Sequence, residues 1–124
     1  MSQPLVLAFE KRGGLLPVVV QDLGGQILMV AWMNHEAWYK TVSSRIATFW
    51  STSRNELWTK GATSGDYLEV HDILVDCDLD TVLLKVRQLG KGTCHTLNAS
   101  GQTRKSCFYR KLSENGQQLE EIDP

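Results

Sequence analysis

Val82, Leu84 and Val86 alternate with Lys85 and Arg87, and that two-residue period commits the segment to a strand with one buried face. The chain is punctuated in the same manner elsewhere. Residues 18–21 and 26–33 are apolar runs separated by Asp22-Leu23-Gly24-Gly25, a composition that predicts a β-hairpin turn. Residues 46–50 and 56–60 predict two further strands, joined by a polar turn over 51–55. Residues 68–77 form the longest strand candidate, and 81–88 follow after a short turn. Asn34 reads as a helix N-cap, with Glu36 in the positive first turn, for a short helix ending at Ser43 or Ser44. Residues 89–106, rich in Gly, Ser, Thr, Asn and Lys, predict a loop; 107–112 predict a last strand, and the acidic 113–124 a frayed tail. The expected fold is mainly β or α+β: one small domain spanning residues 1–124, its core about 15–112. It should be a bent antiparallel sheet with one or two short helices.

A chain of 124 residues fits one domain. Chains of this size bury roughly 65–70% of their unfolded surface, so pairing with a second copy would help the core. Lys and Arg number 13 against 14 Asp and Glu. That balance supplies no global field for nucleic acid or an anionic membrane, so any phosphate must be recognised locally. The start, Met-Ser-Gln-Pro, carries no basic and apolar signal pattern, and no run approaches the roughly 20 apolar residues of a membrane span. The expectation is a cytoplasmic protein. Its three cysteines should then be reduced thiols, which favours metal binding or catalysis over disulfides.

The sequence Asp76-Cys77-Asp78-Leu79-Asp80 is the most informative stretch. If it is extended, the three aspartates converge on one side and Cys77 faces the other. Hard carboxylate oxygens suit Mg²⁺ or Ca²⁺. An EF-hand is excluded, because Thr81 stands where that loop needs Gly and Arg87 where it needs Glu. The competing reading is an exposed acidic turn between strands. Cys77 reads either as a buried apolar residue at a strand end, the commoner fate of a lone cysteine, or as a soft ligand for zinc.

Cys94 and Cys107 lie in and beside the polar loop, a poor setting for core packing. With Cys77 they make three thiolate ligands, one short of a closed structural zinc site and the number a catalytic site uses. His95, next to Cys94, is a candidate for moving protons, set against a solvated loop histidine. His35 reads as helical and peripheral, and His71 as mid-strand.

Several motifs stand in one order: Met33-Asn34 with Glu36-Ala37; residues 49–54 as Phe-Trp-Ser-Thr-Ser-Arg; and Leu57-Trp58-Thr59-Lys60-Gly61 with Ser64-Gly65. The aspartate stretch, Cys94-His95-Thr96 and Ser106-Cys107-Phe108-Tyr109 complete the set. Together, over roughly residues 15–112, they resemble phosphoribosyl-AMP cyclohydrolase of histidine biosynthesis. The resemblance implies hydrolytic opening of the adenine ring of N1-(5-phosphoribosyl)-AMP between N1 and C6. It also implies a homodimer with active sites at the interface, where Cys77 of one chain joins Cys94 and Cys107 of the other around zinc. Asp76, Asp78 and Asp80 match the family's magnesium site. One departure stands out: twelve residues, His95 to Ser106, separate the second and third cysteines, where the family places about six, an insertion a surface loop can absorb.

The implied chemistry is zinc-assisted hydrolysis, with magnesium on the aspartates holding a substrate phosphate. Arg54 and Lys60 are candidate phosphate contacts, and solvated strand-end charges otherwise. Ser64 lies in the small-residue loop 61–65, where a ligand can approach the backbone. Trp50 or Trp58 can stack on the purine or pack in the core. A zinc-dependent purine deaminase would need His-x-Glu and Pro-Cys-x-x-Cys, and neither occurs. A non-enzymatic zinc-stabilised binding module would need a fourth ligand.

Overall fold

The computed structural model describes residues 2–124. A short 3₁₀ turn, Phe9–Arg12, leads into β1 (Leu16–Asp22), β2 (Ile27–Met33) and the helix α1 (His35–Ser44). β3 (Thr48–Ser51), β4 (Glu56–Thr59), β5 (Leu68–Val75) and β6 (Val82–Gln88) follow, then β7 (Arg110–Leu112) and β8 (Leu119–Glu121). The mainly β architecture, with one α-helix among the described residues, is the one expected from the sequence. No helix among the described residues is long and apolar enough to cross a membrane.

The main sheet has the order β2-β1-β6-β5. It consists of two antiparallel hairpins, β1–β2 and β5–β6, joined by a parallel pairing of β1 with β6. The sheet is therefore mixed, not antiparallel throughout as the sequence leads one to expect. The period-two pattern sets its buried face: Leu16, Val18 and Val20 of β1 line up beside Val82, Leu84 and Val86 of β6, all fully buried. At the turn of the first hairpin the Asp22 carboxylate accepts the Gln26 N–H at 2.8 Å, and Gly25 takes φ 101°, a conformation natural only to glycine.

α1 closes over the buried face. The Asn34 side chain accepts from the Ala37 N–H at 2.9 Å, the N-cap predicted from sequence. Thr41, fully buried, donates to the Thr48 carbonyl and accepts from the Thr48 N–H, both at 3.0 Å. That reciprocal pair fastens the helix to β3, whose Phe49 fills the core with Ala37 and Trp38.

Two terminal segments depart from expectation. The strand expected over 107–112 is only Arg110–Leu112, because Ser106 and Cys107 turn aside to bond β2: Ser106 Oγ donates to the Ile27 carbonyl at 2.7 Å and the Cys107 N–H to the Leu28 carbonyl at 2.8 Å. Residues 113–124 are not frayed. β7 and β8 pair antiparallel around Asn115-Gly116, and the Ile122 N–H reaches the Tyr109 carbonyl at 2.8 Å. A strand partner and a turn-forming Asn-Gly outweigh the acidic composition that suggests fraying.

Candidate active site

The long segment between the second and third cysteines folds as a narrow hairpin. The Thr93 N–H bonds the Lys105 carbonyl at 3.0 Å, the Cys94 N–H bonds the Arg104 carbonyl at 3.1 Å, and the Arg104 N–H bonds the Thr96 carbonyl at 3.1 Å. The Asn98 carboxamide closes the tip by accepting from Ser100 and Gln102 N–H groups at 3.0 and 2.9 Å. The paired base returns the chain to Cys107. At that base Gly92 lies so near the opposite strand that a Cβ would stand 2.6 Å from the Arg104 carbonyl oxygen. Lys105 ties the hairpin to the first sheet turn through Asp22 at 2.8 Å, and that cation holds the Asp22 carboxyl below its ordinary value.

Cys94 is buried and Cys107 exposed, and the two thiols are close enough to shift one another. Burial works to raise Cys94, but hydrogen bonding from Thr96 and Cys107 and the charge of Arg104 outweigh it, so its thiol is held below the ordinary value. Its sulfur lies 2.9 Å from the Thr96 hydroxyl. Although Cys107 is exposed as a residue, packing around its sulfur, then the charge of Cys94, pushes the thiol up to about 11, against a lowering by Lys60. Two soft donors side by side, the Cys94 thiol held below its ordinary value and the Cys107 thiol above it, fit a zinc ligand pair.

Cys77 stands apart. Among the described residues, the only three metal-ligating groups that come together are Asp76, Asp78 and Asp80, with ligand atoms within 4.8 Å of one another. Cys77 is exposed, which removes the reading of a buried strand-end residue.

The aspartates converge, but not by strand alternation. Residues 76–80 form the turn between β5 and β6 rather than an extended segment, and Leu79 takes φ 65°. The Asp76 carboxylate accepts the Asp80 and Thr81 N–H groups at 3.0 and 3.1 Å, wrapping the turn around itself. Desolvation opposes these bonds without matching them, and Asp76 is held low; Asp78 is pushed up by hydrogen bonding to the neighbouring carboxylates. Cations from the 3₁₀ turn answer the crowded charge: Lys11 lies 3.6 Å from Asp78 and 3.7 Å from Asp80, and Arg12 lies 3.3 Å from Asp80. Asp80 is 4% exposed. Oxygen donors at this spacing suit a hard divalent cation.

The predicted substrate contacts gather on the β3–β4 side. Arg54, Lys60 and Ser64 line one cleft of about 430 Å³ together with Trp58. Trp50 lines the adjoining cleft of about 390 Å³ with Trp32, and Arg54 and Trp58 form the wall between them. Arg54 is drawn toward Glu56 at 3.4 Å, and Ser64 Oγ accepts the Asp66 N–H at 3.2 Å. Lys60 connects this cleft to the cysteines through its effect on Cys107. His95 is exposed beside Cys94. Sequence reasoning missed Thr96, Arg104, Lys11 and Arg12. No residue pattern marks the last three, since each acquires its role from a partner far along the chain.

A model of the family described as phosphoribosyl-AMP cyclohydrolase matches residues 29–109, a span that includes all three cysteines and all three aspartates. The chain is similar to a phosphoribosyl-AMP cyclohydrolase of Desulfatibacillum aliphaticivorans, 53% identical over 105 residues that cover 84% of this chain and 79% of that one. Proteins of the same name from Hyphomonas neptunium and Streptococcus mutans are also similar. The first is 54% identical over 102 residues, covering 82% of this chain and 72% of its own length. The second is 50% identical over 109 residues, covering 87% and 94% respectively.

Proposed function

The chain belongs to the phosphoribosyl-AMP cyclohydrolase family of histidine biosynthesis, and from that premise we propose that it opens the adenine ring of N1-(5-phosphoribosyl)-AMP between N1 and C6 in a zinc site shared by two subunits. Cys94 and Cys107 of one subunit and Cys77 of the other would hold the metal. One observation carries this reading: two cysteines lie together at the hairpin base, while the third is exposed on a separate turn. A second copy of the chain can bring that third thiol to the pair. The outer face of the main sheet supports such pairing. Val30, Trp32 and Leu74 are exposed there, and an apolar groove of about 360 Å³ runs over Val19, Ile27 and Leu83 to Asp76, beside Cys77. Apolar surface of this kind marks an interaction site.

Bound zinc supplies a lowered water pKa near neutral pH. The protein's own groups do the rest. Water adds at C6, the C6–N1 bond breaks, and N1 must gain a proton; His95, exposed beside Cys94, carries that proton from the water to N1. The cleft of Arg54, Lys60 and Ser64 takes a substrate phosphate, and Trp50 or Trp58 stacks on the purine. Asp76, Asp78 and Asp80 would hold magnesium, with Lys11 and Arg12 giving up part of their contact to it. The test is zinc content per subunit alongside turnover of phosphoribosyl-AMP, for wild type and Cys107→Ser. Bound zinc and turnover in the wild type, with both lost in the variant, are expected. Turnover that survives in a Cys107→Ser protein free of zinc would overturn the assignment of the cysteines.

A further inference from the structure

Arg104 is 8% exposed although it belongs to a loop. A buried guanidinium is costly unless it is paired and hydrogen-bonded, and here two of its nitrogens are hydrogen-bonded and the third faces a carboxylate. Nε donates to the Asp123 carbonyl at 2.8 Å, Nη1 donates to Thr96 Oγ1 at 3.1 Å, and Nη2 lies 3.6 Å from the Glu121 carboxylate. The guanidinium carbon sits 3.9 Å from the centre of the Tyr109 ring. Thr96 Oγ1 is in turn 2.9 Å from Cys94 Sγ. Arginine can only donate. Thr96 therefore accepts from it, and its polarised hydroxyl proton is free to point at the sulfur.

We propose that Arg104 is a positioning residue for Cys94, acting through Thr96, and that the last residues of the chain hold Arg104 in that role. Two further contacts place the C-terminal segment as a clasp across the cysteine hairpin. Asn98 Nδ2 donates to the Asp123 carboxylate at 3.0 Å, and Ile122 is anchored to the Tyr109 carbonyl, two residues past Cys107. The clasp thus grips the hairpin at its tip, through Asn98, and just beyond its base, through Tyr109. Groups that orient a metal ligand from behind typically contribute 10–100-fold to metal affinity. The inference rests on the reading of Cys94 as a zinc ligand.

The experiment compares wild type, Thr96→Val, Thr96→Ser, Arg104→Lys and a chain lacking residues 122–124. Zinc affinity is measured by competition with a chromogenic chelator, and backbone amide hydrogen exchange on the zinc-free proteins. Thr96→Val, Arg104→Lys and the truncation should each weaken zinc binding by about tenfold or more, while Thr96→Ser, which keeps the hydroxyl, should bind as wild type does. The truncation should also speed exchange of the Cys94 amide, which bonds the Arg104 carbonyl. Equal affinity across the set would overturn the proposal. If the wild type itself takes up no zinc, the ligand assignment fails separately. The Cys94 amide then decides: faster exchange on truncation supports the clasp, and unchanged exchange refutes it.

Discussion

Replacing Gly92 by alanine would set a Cβ 2.6 Å from the Arg104 carbonyl oxygen, 2.9 Å from its carbon and 3.0 Å from Thr103 Cγ2, where ordinary contact begins near 3.4 Å. The two arms of the cysteine hairpin must then part by about 0.8 Å, and the obstructing atoms are mostly backbone, which cannot swing away. Overpacking of this kind costs about 1–3 kcal/mol. The same movement stretches the Cys94 N–H to Arg104 carbonyl bond, now 3.1 Å, adding about 1 kcal/mol. A loss of about 2–4 kcal/mol should therefore appear as a fall in Tm of roughly 8–15 °C for a domain of this size. Calorimetry of the zinc-free protein measures it. Because the displaced strand carries Cys94, zinc affinity should fall with stability. A Gly92→Ala protein with wild-type Tm and wild-type zinc binding would refute the description of the hairpin base.

The remaining predictions concern pH. Cys107 is raised from 9.0 to about 11 by desolvation and by Cys94, so the folded state favours its protonated form. In the zinc-free protein this stability is fully present below pH 9 and lost as pH rises from 9 toward about 11; urea denaturation should show a smaller alkaline loss in Cys107→Ser. Asp22 is depressed below its ordinary 3.8, chiefly by its hydrogen bond with Lys105. That contribution is present above 3.8 and lost as pH falls through the folded value. Lys105→Ala should accordingly narrow the difference in stability between neutral and acid pH, read by acid titration of the circular dichroism signal.

What the sequence disclosed was local. The alternation of Val82, Leu84 and Val86 with Lys85 and Arg87 declares a strand through side-chain period alone; Asp22 to Gly25 declares a turn, and Asn34 a cap, by chemistry acting within a few residues. The parallel pairing of β1 with β6 joins strands about sixty residues apart, and no local pattern encodes it. The aspartate turn shows how a right grouping can rest on a wrong geometry: Leu79 in the left-handed region is uncommon for a branched side chain and invisible to a pattern of alternating faces. In the sequence Arg104 is half of a basic pair. Its burial depends on Tyr109 and on Glu121 and Asp123, the last two brought to it by the pairing of β7 with β8.

The proposed shared zinc site is tested most directly by mixing two variants, each expected to be inactive alone. Cys77→Ser and Cys107→Ser, each alone, would damage every site in the proposed homodimer. Unfolded together and refolded, they form mixed dimers in which one site takes Cys77 from the second variant and Cys94 and Cys107 from the first, and so is whole. Random pairing in a two-fold dimer makes half of the dimers mixed, with one of two sites intact, so about a quarter of wild-type turnover should return. A refolded mixture as inactive as its two components would contradict the shared site.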